Sequence, residues 1–138
     1  MSIYEPRLAR QWINSKLNAT NVLNYVSGIY QDLAVQDANS PYVIIEEIGG
    51  YDLEAGHRQG AFIEFHVLVV GFAGRDDDNM YNAMDVIDTA LINANETYGG
   101  YRVICRSSAI VPSTIELGDG QVYWRTVGRT WRIYVSNL

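Results

Sequence analysis

Ala61-Phe62-Ile63-Glu64-Phe65-His66-Val67-Leu68-Val69-Val70-Gly71-Phe72-Ala73 is the longest nearly unbroken apolar run in the chain. It is rich in β-branched and aromatic residues and free of proline, which predicts a central strand. In its first half Ile63, Phe65 and Val67 alternate with Glu64 and His66, so one face meets a core and the other is partly wet. Past His66 the run Leu68-Val69-Val70 loses that alternation, and the expectation is that both faces become covered there, by a helix and by a neighbouring chain or segment.

Outward from this strand, the preceding residues read as its hairpin partner. Pro41 introduces the β run Tyr42 to Ile48, and Gly49-Gly50 is expected to end it. Tyr51 to Gly60, with Asp52, Glu54, His57 and Arg58, then reads as a mobile polar loop joining two antiparallel strands. Upstream, Leu8, Trp12, Ile13 and Leu17 recur at helical spacing behind Pro6, predicting an amphipathic helix from Glu5 to about Leu17. Asn21 is a candidate cap for a short turn through Val22, and Ile29-Tyr30 a brief extended piece.

Downstream, Asp76-Asp77-Asp78 suits a helix N-terminus, and Met80, Met84, Ile87 and Leu91 form one stripe of a helix from Asp78 to Ala94. Tyr98-Gly99-Gly100-Tyr101 is a turn, and Tyr101 to Ile110 alternates as a strand that Pro112 is expected to limit. Ser113 to Leu117 reads as a short strand or link, Gly118-Asp119-Gly120 as a turn, and Gln121 to Val135 as the last strand, with Gly128 marking a bulge or a bend between two stretches. The fold class is therefore α+β in a single domain spanning residues 1–138: a mainly antiparallel sheet packed against two principal helices, with a long hairpin loop.

Chemistry is sparse. Cys105, the lone cysteine, sits in an alternating apolar segment and reads as a buried thiol. His66 reads as a hydrogen-bonded sheet residue, and the Asp76 cluster as helix capping in preference to a metal site. Ser107-Ser108 lacks the turn and the partners of a hydrolase, and the glycine pairs lack a phosphate-loop tail. Neither catalytic residues, cofactor nor metal is expected. The net charge of -6 argues against a nonspecific nucleic-acid clamp, although an acidic surface lets a polyanion pass without sticking. Residues Met1 to Arg7 carry no secretory pattern and no run reaches transmembrane length, so the expectation is a cytosolic product with no membrane partner.

The surface is more informative. Only 19% of residues are charged, and ten tyrosines with three tryptophans exceed what one small core needs. Aromatic excess and open sheet edges, expected at Tyr42 to Ile48 or in the last strand, suit a self-associating structural protein of cyclic symmetry. Arg125, Arg129 and Arg132 near Trp124 and Trp131 are expected to meet a neighbour's carboxylates. The candidate contact residues are Tyr51, Asp52, Glu54, His57, Arg58, Tyr98, Trp124, Arg125 and Arg129.

The order of elements, with Pro41-Tyr42-Val43-Ile44 opening a strand, an apolar strand leading to the helix Asp78 to Ala94, and Thr130-Trp131-Arg132-Ile133-Tyr134-Val135 at the end, resembles the tail completion or tail terminator proteins of tailed bacteriophages. That resemblance implies a structural, non-enzymatic virion protein at the head-proximal end of the tail, assembled in the host cytoplasm. It implies a homo-oligomeric ring, commonly a hexamer, that stops polymerisation of the tail tube protein and joins it to head connector or neck proteins, with DNA passing through the lumen. The alternatives are another neck or tail tube subunit, or a small cytoplasmic α+β enzyme or ligand-binding domain.

Overall fold

The computed structural model describes residues 4–35, 37–55 and 58–137, with side chains left aside at 51–59 and 119. Two helices, α1 (Glu5–Asn18) and α2 (Asp77–Leu91), pack on one face of a six-stranded sheet. The strands are β1 (Ile29–Gln31), β2 (Tyr42–Ala55), β3 (Arg58–Phe72), β4 (Asn95–Tyr98), β5 (Tyr101–Leu117) and β6 (Tyr123–Asn137), in the spatial order β1-β2-β3-β6-β5-β4. Only β1 runs parallel to its neighbour; every other pairing is antiparallel. The sheet is curled into a half-barrel.

The apolar run does lie at the centre of the sheet, as β3 between β2 and β6. Its alternation persists further than its composition suggests. Ile63, Phe65, Val67 and Val69 are buried under the helices, whereas Leu68 and Val70 are only half-buried. Both helices occupy the same face, so no helix or strand among the described residues stacks over Leu68 and Val70. The core is completed by Leu8, Trp12, Ile13 and Leu17 of α1, Met80, Ala83, Ile87 and Leu91 of α2, and Val127, Trp131, Ile133 and Val135 of β6.

Several local expectations are corrected by long-range pairing. Gly49-Gly50 does not end β2: the register slips between Glu47 and Gly49 as a bulge, and pairing with β3 continues from Gly50↔Ile63 to Ala55↔Arg58. The polar excursion is thus mostly ladder, and His57 lies outside the described residues. Pro112 does not stop β5 either. It falls inside the register slip between Val111 and Thr114, where no ladder N–H is required of it. Gly128 carries no slip in its pairing with β3, while on its other side the β5 slip between Val111 and Thr114 begins at Gly128; a Cβ there would also meet the Val67 carbonyl oxygen at 2.4 Å, so close approach adds to the demand for glycine. The last strand is not an edge, because β5 covers its other side. β4 was not foreseen; Gly99 (φ 57) and Gly100 (φ 83) make the positive-φ two-residue turn that folds it onto β5.

The helix ends also differ from expectation. Thr20 Oγ1, not the Asn21 side chain, accepts the Val22 N–H at the short 3-10 turn Val22–Asn24. α2 stops at Leu91, with Asn93 in the left-handed region at φ 55. Its acidic start makes no side-chain cap: Asp76 instead reaches back to the Phe72 N–H (2.8 Å) and to Arg75 Nε (3.0 Å). Burial pushes the Asp76 carboxyl up, but these hydrogen bonds outweigh it and hold it below the usual carboxylate range. Glu96 on β4 accepts the Trp12 indole N–H, and this bond with the Lys16 ion pair lowers its pKa against desolvation.

Both carboxyls therefore titrate lower folded than unfolded, where they ionise near pH ~4. Their stabilisation is whole above that value and is lost as pH falls through the depressed folded values. Urea midpoints should accordingly drop below about pH 4, and the pair Asp76→Asn and Glu96→Gln should flatten the drop. An unchanged pH slope in that double variant would place the acid sensitivity elsewhere.

Candidate interaction surfaces

The face of the sheet opposite the helices carries two aromatic groups. At one end Phe72 and Trp124 stack with centroids 4.4 Å apart, Tyr42 lies 6.5 Å from Trp124, and the Arg75 guanidinium sits 4.0 Å over Phe72. At the other end Phe62 meets Tyr134 at 5.7 Å with Arg132 over the Phe62 ring at 4.9 Å. Between them His66 Nδ1 faces Glu46 Oε1 at 3.2 Å, as expected of a hydrogen-bonded sheet histidine.

β5 forms a second surface. Beyond its short pairing with β4 it pairs, among the described residues, with β6 alone, and Ile110, Ile115 and Leu117 are 70%, 53% and 60% exposed. Beside it a cavity of about 280 Å³ is lined by Tyr81 and Met84 of α2 together with Ile110, Pro112, Val127 and Arg129. Across the sheet, the outer edge of β2 is covered by β1 only at Val43 to Ile45, and Ile48 is half-exposed. The open edge of β2 was expected at Tyr42 to Ile48, but Ile110, Ile115 and Leu117 escaped the sequence reading because the alternation of Tyr101 to Ile110 is that of an ordinary half-buried strand.

The expected arginine contacts are occupied within the chain. Arg125 Nε reaches Asp77 at 3.0 Å, and Arg129 holds both oxygens of Asp88 at 3.2 Å while donating to Ser107 Oγ at 3.1 Å. These arginines on β6 tie α2 to the sheet, and Arg132 pairs with Glu64 at 3.1 Å on the opposite face. Tyr98 packs partly buried against the core. Trp124 is half-buried in the aromatic group. Tyr51, Asp52, Glu54 and Arg58 lie on the paired arms of the hairpin, apart from Tyr98 on the far edge. Among the described residues, the candidate positions on the hairpin, on β4 and on β6 lie on different strands of the sheet.

Burial pushes the Cys105 thiol up to about 12, which removes the thiolate that a nucleophile or metal ligand requires. Among the described residues no three or more His, Cys, Asp or Glu side chains converge as a metal site, and no helix is long and apolar enough to cross a membrane. What the surfaces offer is adhesion, through apolar side chains and open strand edges.

No family model matches the chain, and no curated protein matches it. Among solved structures it is similar to a chain in the virion of a native gene transfer agent particle, with a TM-score of 0.73 and 16% identity over 99% of this chain and 100% of that one. A second solved chain aligns at a TM-score of 0.61 and 16% identity, over 96% of this chain and 93% of that one. At these identities the likeness is one of fold, and it runs through nearly every element described above.

Proposed function

We propose that this chain is a structural subunit of a virion, forming a ring at the head-proximal end of a phage or phage-like tail. The ring, six-membered in the reading that the terminator resemblance implies, ends polymerisation of the tail tube and joins it to head connector or neck proteins, with DNA passing through its lumen. The observation that carries this is the fold shared with a virion chain over 99% of the present one, in a molecule whose apolar strand edges are left uncovered. The mechanism is binding without bond making: apolar surface supplies adhesion and charged rims select the neighbour. Of the candidate contacts whose side chains are described, Trp124, set on the face away from the helices, is the least committed to the core; Tyr98, Arg125 and Arg129 couple contact to folding.

Negative-stain microscopy of the purified chain should show closed rings. Mixed with assembling tail tubes, the rings should cap tubes and fix their length; growth of the chain itself into long tubes would assign it instead to the tube.

A further inference from the structure

On the face of the sheet away from the helices, strand pairing sets out a small grid of side chains. β5 presents Arg102, Ile104 and Arg106 there, while Val103 and Cys105 between them are buried on the helix side. Ile104 pairs with Tyr134, which pairs with Phe62; Arg106 pairs with Arg132, which pairs with Glu64. β4 covers the edge of β5 beside Arg102 but not this face, and Arg102 and Arg106 are both exposed. Arg102 donates to Asn95 Oδ1 at 2.9 Å and Arg106 to the Cys105 carbonyl at 2.9 Å, whereas Glu64 is taken by Arg132 at 3.1 Å. Two guanidiniums with no carboxylate among the described residues thus flank an apolar centre, in a chain whose net charge is -6.

The complementary surface lies on the other side of the molecule. α2 contains no lysine or arginine, and towards the sheet its Asp77 and Asp88 are already held by Arg125 and Arg129. Asp78 and Asp85, about two turns apart, point directly away from the buried stripe of Met80, Ala83, Ile87 and Leu91. Both are exposed, and neither meets a cation among the described residues. The other described carboxylates left without a charged or histidine partner, Glu5, Asp37 and Glu116, stand singly on separate segments, so only α2 offers two on one element. We propose, resting on the ring reading above, that the Asp78 and Asp85 stripe of one copy docks on the Arg102 and Arg106 face of the next.

Spacing and chemistry select this occupant. Asp78 and Asp85 are about 10 Å apart along α2, and Arg102 and Arg106 about 13 Å apart along β5, a difference that long arginine side chains span. Half-exposed Tyr81 gives the acidic stripe an aromatic middle, as Ile104 and Tyr134 give the arginine pair an apolar one. A guanidinium offers a carboxylate two parallel N–H donors, so each pair is directional as well as charged. One copy cannot bring the two surfaces together, because they lie on opposite faces of its sheet, and like surfaces repel. The contact is therefore heterologous and runs head to tail, as a ring requires. A nucleic acid fits the arginine face less well: its affinity comes from many phosphate contacts, and two uncompensated guanidiniums on an acidic chain supply few.

The test is charge reversal in the full chain. Arg102→Glu with Arg106→Glu in one preparation, and Asp78→Arg with Asp85→Arg in another, should each raise the concentration at which copies separate by about tenfold or more and leave the urea midpoint in place. An equimolar mixture should reassemble, because alternating copies set glutamate against arginine at one contact and arginine against aspartate at the next. Reversal variants that assemble as the parent does, or a mixture that stays apart, overturn the contact and leave the ring reading intact. Open filaments from parent and mixture alike uphold the contact and overturn the ring. A parent chain that stays monomeric at high concentration overturns both. Should a reversal variant fail to fold, Arg102→Gln with Arg106→Gln and Asp78→Asn with Asp85→Asn take its place: all four changes in one chain should weaken assembly no more than either pair alone, and additive weakening overturns the contact.

Discussion

Gly128→Ala should destabilise the chain by about 3 kcal/mol, and Gly128→Val should leave little folded protein at all. A Cβ at this position would stand 2.4 Å from the Val67 carbonyl oxygen, 2.7 Å from Leu68 Cδ2 and 3.0 Å from Leu68 Cα. Two of those three atoms are backbone of the central strand, so relief cannot come from rotating one side chain. It must come from separating β3 and β6 where Leu68 pairs with Gly128, and Val69 with Val127, in the middle of the sheet. Urea denaturation followed by circular dichroism reads the loss directly. A Gly128→Ala chain as stable as the parent would show that the two strands yield at this point without cost, and that the glycine answers to some other demand.

That glycine also shows where local reading stops. Residue patterns located β3 because its side chains alternate within one segment, and they located α1 and α2 because Leu8, Trp12, Ile13 and Leu17, or Met80, Ile87 and Leu91, fall on one stripe each. Such signals are carried by neighbours in the chain. Pairing is not: Gly49, Pro112 and Gly128 announce an interruption in their own strand, but only the partner decides whether it becomes a break, a bulge or a close approach. The same limit applies to the candidate contacts. Arg125 and Arg129 were recognisable as charges beside aromatic residues, yet their partners Asp77 and Asp88 stand 48 and 41 residues away along the chain. Spatial neighbours at that separation leave no trace in spacing. Exposed Ile110, Ile115 and Leu117 were hidden for a related reason, since an edge strand and a covered one share the same alternation.

Trp131→Ala should cost about 3–5 kcal/mol, which is a large share of the roughly 5–15 kcal/mol that holds a domain of this size together. Trp131 is fully buried on β6, between Phe65 of β3 and Ser107 of β5 in the pairing, so its removal opens a cavity at the junction of three strands under the helices. Its indole N–H, however, has no hydrogen-bond partner among the described residues, and an unpaired buried donor carries a penalty of about 1–3 kcal/mol. Trp131→Phe deletes that donor while keeping a ring in the site. The two effects oppose one another, and the phenylalanine variant is expected to lie within about 1–2 kcal/mol of the parent. Urea midpoints of both variants measured side by side decide the matter: a phenylalanine chain as unstable as the alanine chain would mean that the indole fills its site so tightly that lost packing outweighs the relieved donor. The same pair of variants separates folding from assembly, because Trp131 is sealed inside the subunit. Trp131→Phe should form rings as the parent does, whereas substitutions at Ile110 or Leu117 should change assembly and leave the urea midpoint in place.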